Sequence, residues 1–178
     1  MNNYAQTNDS PLSASGRFGR LAYLAWIFLS SIIVLILLGI ASAFLGAGFN
    51  PEDPSSFSIP TIIIFVAVYL AFLYFSIVFA IRRLHDRNHS GWLVLLIFVP
   101  VINIIFALYL LFAKGNEGVN NYGPQRVTQG WEKVLGWIYI IFTVGAFVLG
   151  LVLALALPSY QGYVEESNST YIEQNANQ

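Results

Sequence analysis

The fold is decided by one stretch of the chain, LAYLAWIFLSSIIVLILLGIASAFL at residues 21–45, which is predominantly apolar and carries no charged side chain. Three more stretches of this kind follow, at residues 59–81, 93–113 and 134–157. Each has roughly 20 to 25 residues, and because an α-helix rises about 1.5 Å per residue, each could cross a hydrocarbon layer about 30 Å thick. The sequence therefore predicts an all-α, polytopic integral membrane protein with four hydrophobic helices.

The composition supports lipid as the solvent of these stretches. Of the 178 residues, 57% are hydrophobic and 10% are charged, whereas a soluble domain has about 25% charged residues. The formal net charge of −1 favours neither nucleic acid nor acidic ligands as partners. Because the chain contains no cysteine, disulfides, thiolate metal sites and cysteine nucleophiles are excluded.

The distribution of polar residues divides the chain into four parts. Residues 1–15 are predicted to form a flexible polar tail, and residues 16–126 a membrane domain with three hydrophobic segments. Residues 127–158 form an additional transmembrane helix that is expected to end at Pro158. Residues 159–178 are an acidic polar tail without Lys or Arg, either partly helical or disordered.

The third hydrophobic segment, residues 93–113, contains Pro100 and Asn103 near its centre. Proline removes a backbone donor and clashes with the preceding turn, so a kink or break is expected there. Two topologies follow. The length of the segment favours a kinked helix that crosses the membrane, giving four crossings. The alternative is a re-entrant segment that enters and leaves on the same side.

The positions of Lys and Arg bear on this choice, because these residues stay preferentially on the cytoplasmic side of a membrane. Four crossings would place five on the inside and three on the outside, whereas a re-entrant third segment would place all eight inside. Both topologies share a cytoplasmic N-terminus. The chain is therefore expected to pass through a membrane several times.

The most polar cluster of the chain, residues 82–92, lies at the end of the second hydrophobic segment, and two arginines precede the first segment. Arginine binds phosphate through a planar fork of donors, so these residues predict a cytoplasmic face that binds anionic lipid headgroups or a partner. Asp86 lies three and four residues after Arg83 and Arg82, close enough for an ion pair with either. A simpler alternative is an interfacial collar that only fixes orientation. The candidate binding residues are Arg17, Arg20, Arg82, Arg83, His85, Asp86, Arg87 and Trp92.

A catalytic or metal site is less well supported. His85 and His89 are four residues apart, with an acid after the first histidine, as in zinc proteases. However, the acid is the shorter Asp86, a third ligand is not evident, and Gly91 follows closely. The Gly-rich stretch at 115–124 lacks the lysine and serine that end a nucleotide-binding loop and is interpreted as a compact turn. The sequence therefore predicts no catalytic residue, no cofactor and no metal.

Three motifs in fixed order resemble a bacterial membrane family, domain of unknown function number 805. They are Gly16-Arg17-Phe18-Gly19-Arg20 with Tyr23 and Trp26, then Arg82-Arg83-Leu84-His85-Asp86 with Ser90-Gly91-Trp92, then Gly115, Gly118, Asn120 and Tyr122-Gly123-Pro124. The resemblance covers roughly residues 15–126. The resemblance implies a small multi-pass protein located in the bacterial inner membrane, and it implies an architecture, but it implies no reaction, since the family has no established activity.

The chain beyond residue 126 resembles a different class of protein. The sequence LALPSYQGYV at 155–164 is similar to the stem of a type IV pilin, in which an apolar helix runs into a proline, a tyrosine and a polar stretch. The prepilin cleavage motif and its early glutamate are missing, so pilin-like processing is not expected. A membrane helix closed by Pro158 is the simpler interpretation.

These observations predict a non-enzymatic membrane scaffold, or a protein that binds anionic lipids or a partner. Membrane lipids are the expected partners, together with other membrane proteins or a second copy of the chain, and nucleic acid is not expected. One alternative is a component of a transporter or channel, suggested by the broken third segment. A metal-dependent membrane enzyme is the less favoured alternative.

Overall fold

The computed structural model describes residue 10, residues 12–44 and residues 58–176. Most of the predicted polar tail at 1–15, most of the link at 46–58, for which the sequence predicts a turn-rich loop, and the end of the acidic tail lie outside these residues. The described chain is all-helical: α1 spans Arg20–Phe44, α2 spans Ile59–Asp86, a 3-10 helix spans Gly91–Phe98, α3 spans Ile102–Phe112 and α4 spans Gly130–Ala176. The chain divides into two compact units, Met1–Tyr139 and Ile140–Gln178.

Three helices, α1, α2 and α4, are long and apolar enough to cross a membrane. Their most apolar parts are hardly buried: in the 18-residue window of α2 only 11% is enclosed by protein. Exposed leucine, isoleucine and valine over such lengths require a non-aqueous solvent. The chain is therefore a membrane protein with several apolar helices, as the sequence predicts.

The ends of α2 follow from local sequence. At its start, the Ser58 hydroxyl accepts a hydrogen bond from the Thr61 N–H, as a helix cap does. At its end, Asn88 adopts a left-handed conformation with φ of 59°. The His89 N–H then reaches back to the Leu84 carbonyl at 3.0 Å and the Asn88 N–H to the His85 carbonyl at 3.0 Å. This pair of bonds is a Schellman motif, which stops the helix beside Asp86.

The third hydrophobic segment breaks in two. Val99, the residue before Pro100, is extended, as a following proline requires. Val101 has φ of 68°, a conformation that a β-branched residue rarely adopts. The 3-10 helix ends at Phe98 and α3 begins at Ile102, so the break predicted at Pro100 is confirmed.

Both ends of this segment lie beside the C-terminal end of α2. At the first end, a Cβ added to Gly91 would lie 2.9 Å from the Ile81 side chain. At the second end, Arg83 Nε donates to the Leu110 carbonyl at 2.8 Å. The single crossing helix that the segment length favoured is therefore not formed. The two halves form a hairpin, the arrangement expected of a re-entrant segment.

Two small hydrophobic clusters hold the first unit together. One joins α2 to the hairpin, and the other joins α2 to the start of α1, where the Phe18 and Phe79 rings lie 5.9 Å apart. The start of α4 packs closely on α1, since a Cβ on Gly136 would lie 2.8 Å from the Leu21 carbonyl oxygen. The clusters comprise Ala80, Leu84, Val94, Phe106 and Leu110, and Phe18, Ala22, Val78 and Phe79.

Helix α4 does not end at Pro158, and this prediction is wrong. Pro158 lies inside the helix, which continues to Ala176, so the described part of the acidic tail is helical. The fixed φ of proline is compatible with a helix, and the ring removes one hydrogen bond to the carbonyl four residues earlier. Within the second unit, every described side chain from residue 141 onward is exposed.

Candidate functional site

The buried centre of the first unit is an ion cluster around Asp86, the last residue of α2. The Asp86 carboxylate accepts from Arg17 Nε at 3.2 Å and from Arg83 Nη1 at 2.8 Å, and Arg17 Nη2 lies 3.1 Å from it. The three side chains have relative exposures of 0–2%. We call Arg17, Arg83 and Asp86 the arginine–aspartate core. Burial of three charges is tolerated because each is paired and hydrogen-bonded.

Both arginines also donate hydrogen bonds to backbone carbonyls. Arg17 Nη1 donates to the carbonyls of Gly118 at 2.7 Å and Gly123 at 3.1 Å, and Nη2 donates to that of Asn116. Arg83 also donates to the Ala113 carbonyl. The core therefore fixes the loop after α3 and leaves neither guanidinium available to a ligand.

A glycine lets this loop approach the core. A Cβ added to Gly115 would lie 1.9 Å from Asp86 Oδ2, a distance that no side chain could accept. The next residue, Asn116, donates its backbone N–H to the Asp86 carbonyl at 2.8 Å. The expected compact turn is also present, because Asn120 and Gly123 exchange backbone hydrogen bonds of 3.1 and 3.0 Å. The turn is thus held both by itself and by Arg17.

Arg82 has a different environment from Arg83. Its guanidinium carbon lies 3.8 Å from the centre of the Phe18 ring, and Nη1 donates to the Ser10 carbonyl at 3.0 Å. Gly16 makes room for it: its φ is +87°, and a Cβ there would lie 3.3 Å from Arg82 Nη2. The Gly-Arg-Phe motif before α1 therefore packs against Arg82 and covers the end of α2.

The two histidines have separate partners. The His85 ring stacks on Tyr122 with a centroid distance of 3.8 Å. His89 Nε2 lies 2.7 Å from the Tyr109 hydroxyl, which also accepts from Arg87 Nε at 3.1 Å. Among the described residues, no group of three or more potential metal-ligating side chains is found. Each histidine joins the end of α2 to α3 or to the following turn.

Next to the core lies an open cleft of about 560 Å³. Three exposed cations line it, and we call Arg20, Lys114 and Lys133 the cleft cations. They come from the first residue of α1, the loop after α3 and the first turn of α4. The cleft therefore lies where α1 and α4 begin and α2 ends. Its lining consists of Gly19, Arg20, Leu21, Asp86, Lys114, Gly115, Glu117, Gln125, Thr128 and Lys133.

Two acids also line the cleft, but they differ in availability. The charge of Asp86 is neutralised by its buried partners, Arg17 and Arg83. Glu117 is exposed and lies 2.6 Å from the Lys114 ammonium. The hydrogen bond and charge of Lys114 lower the pKa of Glu117, so this carboxylate is ionised at neutral pH. Among the described residues that line the cleft, three cations outnumber one accessible acid, so the cleft is suited to an anion.

Glu132 is a structural residue that the sequence interpretation did not single out. Its buried carboxylate accepts from the Trp26 indole at 2.8 Å, from Arg126 at 2.8 Å and from the Gln129 N–H at 2.7 Å. The last bond is half of a capping box, in which an acid three residues after the cap binds the cap's N–H. An acid at the start of an apolar helix was the available signal. Glu132 attaches the start of α4 to α1.

The predicted binding residues therefore divide by exposure. Arg17, Arg82, Arg83 and Asp86 are buried, so none of these three guanidinium groups is open to a lipid headgroup. His85 and Arg87 are half-buried, whereas Arg20 and Trp92 are exposed. Of the predicted set, Arg20 and Asp86 line the cleft, which Lys114 and Lys133 complete.

This architecture belongs to a known protein family. The family described as protein of unknown function DUF805 matches residues 11–124. The chain belongs to the DUF805 family. The match includes the Gly-Arg-Phe motif, the end of α2, the hairpin and the turn that binds Arg17, which are the parts that build the arginine–aspartate core. The resemblance inferred from the motifs is thus confirmed.

Two curated relatives are similar to part of the chain. The inner membrane protein YhaI of Escherichia coli strain K12 is 43% identical over 61 residues, covering 31% of this chain and 52% of YhaI. YhaI of Escherichia coli O157:H7 has the same identity and coverage. The chain thus spans about half the length of the curated relatives it matches. No solved structure matches it.

Proposed function

We propose that this DUF805 protein is a non-enzymatic scaffold of the bacterial inner membrane that binds the anionic headgroup of a phospholipid in the cleft. The observation that carries the proposal is the arrangement of the cleft cations. Arg20, Lys114 and Lys133 come from three separate parts of the chain and line one cleft. Their position at the ends of apolar helices corresponds to the boundary where headgroups lie.

The distribution of charge supports a cytoplasmic cleft. With the hairpin returning to the end of α2, every Lys and Arg belongs to the side of the membrane on which α1 and α4 begin. Lys and Arg favour the cytoplasmic side, and the relative YhaI is named an inner membrane protein. Three crossings then leave residue 178 outside. The eight residues are Arg17, Arg20, Arg82, Arg83, Arg87, Lys114, Arg126 and Lys133.

Reporter fusions test this topology. A reporter that is active only in the cytoplasm, fused after residue 120, should be active, and the same reporter after residue 178 should be inactive. A reporter that is active only outside should give the opposite pattern. Activity of the cytoplasmic reporter at residue 178 alone, without activity at residue 120, would indicate four crossings and overturn the proposed side of the cleft.

The expected strength of binding follows from the number of cations. Each Lys or Arg near an anionic surface contributes about 1 kcal/mol. Three acting together correspond to roughly a 100-fold preference for an anionic over a zwitterionic lipid. The arginine–aspartate core contributes indirectly, because it neutralises Asp86 and holds the loop that carries Lys114.

Lipid retention tests the proposal. The protein is purified in mild detergent with mixed micelles of phosphatidylglycerol and phosphatidylcholine, and the bound lipid is measured by native mass spectrometry. The triple variant Arg20→Gln, Lys114→Gln, Lys133→Gln should lose roughly 100-fold of its preference for phosphatidylglycerol. A matched triple variant, Arg20→Lys, Lys114→Arg, Lys133→Arg, keeps the charge and should keep the preference. Equal retention by both triple variants would refute headgroup binding in the cleft.

A further inference from the structure

The depth of the hairpin can be estimated from its two arms. The 3-10 helix has 8 residues and α3 has 11. At about 2.0 Å and 1.5 Å per residue, both arms are about 16 Å long. They start and finish beside the charged end of α2, which marks the membrane boundary. Half of a hydrocarbon layer is about 15 Å, so arms of this length that run along the membrane normal bring the tip of the hairpin to the middle of the bilayer.

A polar side chain lies at this tip. Asn103 is in the first turn of α3 and is exposed. Among the described residues, its carboxamide makes no hydrogen bond. Its surroundings are exposed and apolar, with Val101 71% and Ile104 64% accessible. Neither lipid tails nor these side chains can bond an amide, and polar groups inside a membrane require a partner.

The neighbouring residue on the same face favours close approach of another helix. Ala107 lies one turn after Asn103, so the two share a face of α3, and Ala107 is also exposed. Small residues beside a polar one are typical of helix contacts within membranes, because they let two backbones come close enough for interhelical hydrogen bonds. This face therefore fits a second helix better than it fits lipid.

We infer that the partner is a second copy of this chain, packed against α3 so that the Asn103 carboxamides of the two copies hydrogen-bond to each other. A carboxamide has both donors and an acceptor, so it is complementary to itself across a two-fold axis. Residues 93–113, which form the hairpin, contain no charged side chain that would require an oppositely charged partner. The inference is independent of lipid binding in the cleft, which involves other residues at the opposite end of the hairpin.

Single-cysteine cross-linking tests this contact, because the chain has no cysteine of its own. In membranes treated with iodine, Ala107→Cys should give a covalent dimer on a non-reducing gel. Ile105→Cys is the matched control, since Ile105 is also exposed on α3 but lies about 200° around the helix from both Asn103 and Ala107. Cross-linking of Ile105→Cys equal to that of Ala107→Cys would overturn the inference.

A second substitution tests the amide itself. Adding Asn103→Leu to Ala107→Cys should reduce dimer formation roughly 10-fold, as expected for loss of an interhelical hydrogen bond in a membrane. Asn103→Gln, which keeps the amide, should retain more dimer than Asn103→Leu. Circular dichroism should show the same helix content in all variants, because the Asn103 side chain has no hydrogen bond to another described residue that it could lose. Undiminished cross-linking of the Asn103→Leu variant would overturn the pairing.

Discussion

Arg17 and Arg20 are the same residue type, three positions apart, and yet they belong to two contrasting regions of the molecule. Arg17 precedes α1, is 1% exposed and directs its guanidinium to Asp86 and to backbone carbonyls. Arg20 begins α1, is exposed and lines the open cleft. Counting arginines near a membrane therefore does not reveal which of them can bind an anion. What decides is how many donors the protein itself already uses.

The same contrast extends to the acids. Asp86 has two arginines as buried partners, so its charge belongs to the fold. Glu117 has one exposed lysine as a partner, and both side chains are more than 70% accessible. Removal of a charge should therefore have a large effect in the arginine–aspartate core and a small effect in the cleft. Removal of a charge from each region examines this difference, and a substitution at Gly115 examines how closely the loop must pack on the core.

The largest effect is expected for Asp86→Asn. The substitution keeps the shape of the side chain but leaves Arg17 and Arg83 as buried charges without a counter-ion. Breaking a buried ion pair in this way costs about 3–5 kcal/mol. The thermal unfolding midpoint in detergent should fall steeply, whereas the charge change Arg20→Gln should leave it nearly unchanged. Similar midpoints for the two variants would contradict the distinction between core and cleft.

A smaller effect, of about 1–3 kcal/mol, is expected for Gly115→Ala. The added Cβ would meet Asp86 Oδ2 at 1.9 Å and push the loop away from the core. Gly145→Ala is the matched control, because nothing lies within 4 Å of a Cβ at that helical position. The two variants can be compared by thermal unfolding in the same detergent. If both were equally stable, close contact between the loop and Asp86 would not be required.

Local patterns predicted much of the fold. Three long helices follow from apolar length, and the Arg83–Asp86 pair follows from a spacing of three on α2. The break at Pro100 was also expected from covalent chemistry alone. Pro158 shows the limit of that approach: proline is compatible with helical φ, and an exposed helix can lose one hydrogen bond without ending.

The remaining features depend on contacts that are distant in sequence. Arg17 and Asp86 are separated by 69 residues, and no local rule joins them. Segment length and charge distribution gave opposite topologies for residues 93–113. The bond from Arg83 to the Leu110 carbonyl, which brings the far end of the hairpin back to α2, is the kind of contact that distinguishes them. The cleft was missed for the same reason, since Lys114 and Lys133 meet Arg20 only in three dimensions.

The smallest effect on stability is expected for Glu117→Gln, because the pair with Lys114 is open to solvent and screened. Its lowered pKa means that ionised Glu117 contributes stability above the unfolded-state pKa and loses it as pH falls through the folded-state value. At neutral pH the unfolding midpoint should nevertheless not change measurably.

Phosphatidylglycerol retention by the Glu117→Gln variant should rise, since the substitution removes the accessible acid of the cleft. Lowering the pH through the folded-state pKa of Glu117 should raise phosphatidylglycerol retention by the wild-type protein. The Glu117→Gln variant, which lacks the carboxylate, should show no such pH dependence. If retention by both responded equally to pH, Glu117 would not oppose anion binding in the cleft.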